Sequence, residues 1–282
     1  MEPFQLTQRP GEPASLHITR WESGHPGLSA GFTTRLGGVS QAPYDSLNCA
    51  LHIQDDPSVV ADNRKRLAAS LNVPFEAWTC GEQVHGCQVA VVARSDRGRG
   101  RLTREDAIPD TDALITNERG IWLTSFYADC VPLYFFDPVR EAVGLAHAGW
   151  KGTVLQIARR TVEEMTRSFG TNPADVLAAV GPSIGPCCYE VDSTVTERID
   201  ECLTDIGADA SMREAVCRPG RPGKTMLGLQ QLNGQIMIKA GILPTHIEIC
   251  EMCTGCRTDL FYSHRKERGK TGRMASWIGL AL

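Results

Sequence analysis

Apolar residues come in short blocks along the middle of the chain, at residues 112–116, 121–127, 131–136 and 141–146, with turn-forming residues between them. Blocks of that length bounded by turn signals predict the buried strands of a central sheet. Residues 16–21 and 31–34 predict two short strands ahead of a turn-rich stretch at 35–43. Residues 88–93 form a β-branched run of strand type. Residues 176–180, 247–250 and 260–263 predict further strands.

Helical spacing appears elsewhere. Residues 57–71 predict a helix, with Asp56 as its cap and Pro57 in the first turn. Residues 154–169 place Val154, Ile157, Ala158, Val162 and Met165 on one face, and Gly170 ends the helix. Residues 193–203 and 226–240 predict two more helices, the second stopped by Gly241 and Pro244. The polar, arginine-rich stretch 94–104 is a loop, and the Gly-Pro-rich stretch 181–186 is irregular. There is no internal repeat, long linker or low-complexity segment. Strands and helices that do not alternate strictly favour an α+β fold in a single domain, residues 1–282.

Bulk properties narrow the function. The chain is 42% hydrophobic and 22% charged, an ordinary globular balance. Its formal net charge of −4 argues against general nucleic-acid binding, which requires phosphate neutralisation. No apolar run is long enough to span a bilayer, so no membrane partner is expected. The first ten residues carry neither a basic start nor an apolar stretch, so a cytoplasmic location is expected. Eleven cysteines are then expected as reduced thiols, most of them small buried apolar residues.

Three segments concentrate the candidate chemistry: Gln83-Val84-His85-Gly86, Ala128-Asp129-Cys130-Val131-Pro132 and the run from Ala146 to Thr153. Each sets one good transition-metal ligand beside turn-forming or rigid residues. His85, Cys130 and His147 together would leave a fourth position open on a tetrahedral zinc, the mark of a catalytic rather than a structural ion. They are far apart in sequence, so no compact ligand motif supports the grouping. Read singly, a cysteine is more often a buried thiol and a histidine a hydrogen-bonded residue. Asp129, a charge between apolar runs, needs a partner or a cavity. Lys151 and the glycines at 149 and 152 precede a helix, a recurrent setting for a phosphate.

The chain resembles the YfiH-like family, whose members are described variously as purine nucleoside phosphorylases, polyphenol oxidases of the laccase type and peptidoglycan editing factors. The likeness runs nearly end to end. It is carried by residues 32–40, Ser46-Leu47-Asn48, Gln83-Val84-His85-Gly86, residues 111–116, residues 128–132, residues 147–153, Gly181-Pro182-Ser183-Ile184 with Cys188-Tyr189-Glu190-Val191, residues 261–265 and residues 271–275. Lysine at position 151, where arginine is expected, and an extended loop at 94–104 are the departures. The resemblance implies β-sheets flanked by helices in a layered α/β/β/α-type sandwich. It implies that His85, Cys130 and His147 are zinc ligands.

The resemblance also implies phosphorolysis of adenosine and inosine, with methylthioadenosine as a further candidate, and adenosine deamination at the same site. Cys130, Asp129 and Glu82 are the candidate catalytic groups, the two carboxylates being the nearest in sequence that could move a proton. Arg35, Gln83, Lys151 and Arg265 are the candidate substrate and phosphate contacts. Copper is the alternative metal, but seven histidines without a His-x-His pair suit a multicopper oxidase poorly. A metal-free hydrolase is another class of reading, with Cys130 as nucleophile and His147 as base, acting on a peptidoglycan precursor. Cys250, Cys253 and Cys256 form a C-x-x-C-x-x-C run for which His246 or His264 would be the fourth ligand of a second zinc. The alternative is structural thiols there, and turn or packing residues at Cys187 and Cys188. Gly223-Lys224-Thr225 and Gly269-Lys270-Thr271 lack the earlier glycine of a phosphate-binding loop.

Overall fold

The structure is a computed structural model and describes residues 2–282. In chain order its strands are β1 (Gln5–Thr7), β2 (Ser15–His17), β3 (Leu28–Thr33), β4 (Trp78–Cys80), β5 (Val89–Val91), β6 (Ala113–Thr116), β7 (Trp122–Tyr127), β8 (Val131–Asp137), β9 (Ala142–Ala148), β10 (Leu177–Val180), β11 (Glu190–Val191), β12 (Cys217–Pro219), β13 (Thr225–Leu227), β14 (Ile247–Ile249) and β15 (Met274–Leu280). The helices are α1 (Thr19–Gly24), α2 (Pro57–Ser70), α3 (Trp150–Val154), α4 (Ile157–Phe169), α5 (Ser193–Asp205), α6 (Ala210–Val216) and α7 (Leu229–Lys239).

Two six-stranded mixed sheets, ordered β1-β2-β3-β15-β7-β4 and β14-β10-β8-β9-β6-β5, carry the fold, and β11, β13 and β12 make a small third sheet. Side-chain alternation builds the layers. In β8, Val131, Leu133 and Phe135 join the cluster that holds α4 and α7, while Tyr134 and Phe136 turn toward the first sheet. In β15, Met274, Ile278 and Leu280 face the second sheet, and Ala275 and Trp277 pack with α2 residues Leu67 and Ala68. Successive residues of a strand point to opposite faces, so each central strand feeds two cores. The order is therefore helix, sheet, sheet, helix, an α+β arrangement. Among the described residues no helix is long and apolar enough to cross a membrane.

The four apolar blocks do not share one sheet. β7 lies in the first sheet between β15 and β4, while β6, β8 and β9 lie in the second. Burial on both faces removes the alternation that would have told the sheets apart. β15, central to the first sheet, was not expected, and the strand expected at 260–263 is absent. There the amides of Leu260 and Phe261 donate to Arg257 O at 2.9 and 2.8 Å, committing the backbone to turns. The expected strand at 16–21 ends at His17, and α1 begins at Thr19. The helix expected at 154–169 is divided at Gln156, whose left-handed φ of 57° separates α3 from α4. Met226 and Leu227, the first two residues of the helix expected at 226–240, belong to strand β13 instead.

Candidate metal centre and its cleft

The hairpin β8–β9 sets Pro132 opposite His147 and Val131 opposite Ala148. Cys130, one residue before β8, thus lies beside the end of β9. His85 arrives from a turn between β4 and β5. The ligand atoms of His85, Cys130 and His147 lie within 4.8 Å of one another. Cys130 Sγ is 3.9 Å from His85 Nε2, and the two imidazole rings meet edge-on with centroids 4.8 Å apart. His147 is buried, Cys130 half-buried and His85 exposed, so the trio opens to solvent on one side. The backbone there is strained: Gln83, His85 and Asp129 hold φ of 60°, 62° and 85°. Each such non-glycine residue costs about 1–3 kcal/mol, and such costs concentrate where a side chain must be aimed.

Asp112, in no candidate set drawn from the sequence, organises this geometry. Its Oδ1 takes His147 Nδ1–H at 2.9 Å and the His85 amide at 2.9 Å; its Oδ2 takes the amides of Gly86 at 2.7 Å and Val84 at 3.2 Å. One buried carboxylate therefore fixes the His147 ring and the turn that carries His85. With Nδ1–H held by Asp112, the neutral His147 ring presents Nε2 as a lone-pair donor, as a metal-ligating histidine steadied by a carboxylate does. Gly149 completes the packing, since a Cβ there would stand 3.1 Å from His85 Cδ2 and 3.2 Å from Cys130 Sγ.

The protein's own charges are strongly coupled here. Burial opposes ionisation of the Cys130 thiol, but the His147 and His85 imidazoles outweigh it and bring the thiol down to about 6. Burial likewise works against a charged His147, yet Cys130 and Asp112 hold its imidazole up at about 9. Burial raises the Asp112 carboxyl, but His147 and the amides of Gly86 and His85 take it below the ordinary range. The residues fit a soft divalent ion: two imidazoles, one readily formed thiolate, a positioned tautomer and one open side.

The trio forms one wall of a cleft of about 340 Å³. Gln83, Asp129 and Arg265, named from sequence, line it together with His52, Phe126, Tyr127, Tyr189, His264 and Arg273. Gln83 is locked: its amide donates to Phe126 O at 2.9 Å and accepts from Phe126 N–H at 2.8 Å. Asp129 accepts the Thr254 hydroxyl at 2.7 Å and the Arg265 amide at 2.7 Å. Arg265 lies 5.0 Å over the Tyr189 ring.

Three expected residues stand outside this lining. Glu82 accepts from Arg104 at 3.3 Å and from the Asp110 amide at 3.1 Å. Arg35 pairs with Glu267 at 2.9 Å and stacks on Tyr262. Lys151 is solvent-exposed at the start of α3, with its Nζ 5.8 Å from the Trp150 ring. The added cation is Arg273, half-buried beside the trio; among the described residues its guanidinium donates only to the carbonyls of Thr271 and Gly272. Its place in a segment already matched to a family was the available signal.

Residues 29–281 match the family model described as multi-copper polyphenol oxidoreductase laccase. The chain is 40% identical to the purine nucleoside phosphorylase YlmD of Bacillus subtilis, over 99% of this chain and 97% of that protein. It is 44% identical to the protein of that name from Geobacillus stearothermophilus, over 90% of each. The crystal structure of the Bacillus licheniformis protein YfiH superposes with a TM-score of 0.90 at 41% identity, covering 99% of this chain and 100% of that one.

Proposed function

This chain belongs to the YfiH/YlmD family, and we propose that within it the chain is a zinc-dependent purine nucleoside phosphorylase acting on adenosine and inosine, with methylthioadenosine as a further substrate and adenosine deamination at the same site. The observation that carries this reading is the meeting of three soft ligands with two guanidiniums on one aromatic-walled cleft. Among the described residues neither Arg265 nor Arg273 pairs with a carboxylate; both donate to backbone carbonyls. Each retains donors for an anion, and charge-assisted bonds from such forks suit phosphate. Arg35, by contrast, is already neutralised by Glu267.

A zinc ion held by His85, Cys130 and His147 would supply Lewis acidity and acidify a bound water at neutral pH. The chain's residues do the rest. Arg265 and Arg273 orient phosphate toward the ribose C1′, and Tyr189 offers an aromatic face to the purine. Asp112 holds the ligand geometry without meeting substrate. Asp129, engaged by Thr254 and Arg265, keeps the β7–β8 turn and the arginine segment in register, and it remains the carboxylate nearest to Cys130 in the chain.

The test is direct. Purified protein is incubated with adenosine and phosphate, and adenine, ribose 1-phosphate and inosine are measured before and after metal removal. Turnover that needs phosphate and zinc and is lost in Cys130→Ala supports the reading; full turnover by metal-free Cys130→Ala overturns it. A metal-free hydrolase is the second reading, because Cys130 and His147 polarise one another as a nucleophile and its base do. That enzyme would survive a chelator and succumb to alkylation. A copper-loaded sample with phenol oxidation exceeding nucleoside turnover per metal would favour the laccase description.

A further inference from the structure

Cys187 and Cys188 lie in a turn beyond β10; Cys253 and Cys256 follow β14. These two strands run parallel and adjacent, so the segments leave the sheet at the same end. Ser183 pairs with Cys253 in an isolated bridge, and the Thr254 amide donates to Ser183 O at 3.0 Å. The four sulfurs consequently lie within 4.8 Å of one another, with Cys256 Sγ 3.4 Å from Cys187 Sγ and 3.5 Å from Cys188 Sγ.

Those separations select a chemistry. Sulfurs sharing one tetrahedral ion at about 2.3 Å stand about 3.8 Å apart. A disulfide requires about 2.05 Å, and all four thiols are free. A cluster of several irons spreads its thiolates over several metals, farther apart than these. The backbone is fitted to the group: a Cβ on Gly185 would stand 3.4 Å from Cys187 Sγ, and one on Gly255 would stand 3.1 Å from Cys188 Sγ. The Gly185 amide donates to Cys253 Sγ at 3.2 Å, a contact that a thiolate accepts better than a thiol. Cys250 is not part of it; it is buried in the core between the sheets and takes the Met252 amide. Neither His246 nor His264 belongs to the group.

We propose that Cys187, Cys188, Cys253 and Cys256 bind one zinc ion as a closed tetrathiolate centre, separate from the His85, Cys130 and His147 trio. Four protein ligands leave no open position, so the centre is structural. It clamps two segments that wall the cleft. Tyr189 follows Cys188 directly, and Thr254, between Cys253 and Cys256, donates to the Asp129 carboxylate at 2.7 Å.

The test does not depend on turnover, so its outcome is separable from the fate of the nucleoside reading. His85→Ala/His147→Ala protein, which lacks the trio, is exchanged with Co²⁺. One cobalt per chain is expected, with intense sulfur-to-cobalt charge-transfer bands and tetrahedral visible bands. Cys253→Ser/Cys256→Ser protein is expected to lose the intense tetrathiolate spectrum and keep metal at the trio, with only the weaker charge-transfer band of the single Cys130 thiolate. Unmodified protein purified under reducing conditions is expected to carry two zinc ions per chain. In it, Cys187 and Cys256 should alkylate about tenfold or more slowly than after zinc removal, because a metal-bound thiolate is a poor nucleophile. Folded His85→Ala/His147→Ala protein without the cobalt–thiolate bands overturns the proposal. So do alkylation rates indifferent to zinc, or a Cys187–Cys256 disulfide in reduced, metal-replete protein. Should the double serine variant fail to fold, the cobalt spectrum and the alkylation rates decide alone.

Discussion

Replacing Asp112 with asparagine alters one atom of a carboxylate that accepts four hydrogen bonds, two on each oxygen. An asparagine amide must set its NH₂ at one of those two places, where it meets donors. If NH₂ takes the Oδ1 place, it faces the His85 amide and His147 Nδ1. The imidazole must then accept at Nδ1 and protonate Nε2, the atom needed as a ligand. If NH₂ takes the Oδ2 place, it faces the amides of Val84 and Gly86, and the turn carrying His85 loosens. Either way one ligand is misdirected. Loss of a carboxylate that orients metal-binding imidazoles costs about 10–100-fold in metal affinity, or about 1.4–2.7 kcal/mol. Competition against a chromophoric zinc chelator measures this, with far-ultraviolet circular dichroism to verify the fold. Nucleoside turnover at limiting zinc should fall in parallel and recover with excess zinc. Zinc affinity within twofold of the parent protein in a folded Asp112→Asn variant would refute the claim that this carboxylate positions both imidazoles.

Gly149→Ala places a methyl at 3.1 Å from His85 and 3.2 Å from Cys130; with an ordinary φ of −70° the backbone accepts alanine, so turnover and zinc affinity should drop about tenfold while the unfolding midpoint stays close to the parent's. Gln83→Ala removes two hydrogen bonds to the Phe126 backbone and should destabilise the fold by about 2 kcal/mol, read by urea denaturation. Arg273→Ala should raise the KM for phosphate more than that for adenosine, measured by varying each at saturation of the other. Burial pushes the Cys49 thiol up to about 12 and the Cys80 thiol up to about 11. A raised folded-state value leaves its stabilisation intact below the ordinary thiol range and removes it as pH climbs toward 11–12, because the unfolded chain ionises first. Stability should therefore decline above about pH 9, and Cys49→Ala should flatten part of that decline in alkaline denaturation curves.

Local chemistry was readable wherever one segment suffices to express it. The Asp56 cap of α2, the Gly170 stop of α4 and the short apolar blocks that became β6 to β9 depend on neighbours a few residues away. The ligand residue types at 85, 130 and 147 and the mixed class of the fold were likewise present in the linear string. β15 escaped because Ser276 and Gly279 interrupt its apolar run, and its register depends on β3 and β7, more than a hundred residues distant. Arg35 and Arg273 are the same kind of residue in segments of equal promise; only packing spent one on Glu267 and turned the other into the cleft.

Convergence is the property that no stretch of chain contains. His85 and Cys130 stand 45 residues apart and meet because the β8–β9 hairpin and the Asp112 carboxylate bring their backbones to one place. Cys187 and Cys256 stand 69 residues apart and meet because β10 and β14 run side by side. Residue identity determines what an atom can bind. The closure of two sheets on each other determines which atoms are near enough to bind it together, since coordination and hydrogen bonding act over a few ångströms and take no account of distance along the chain.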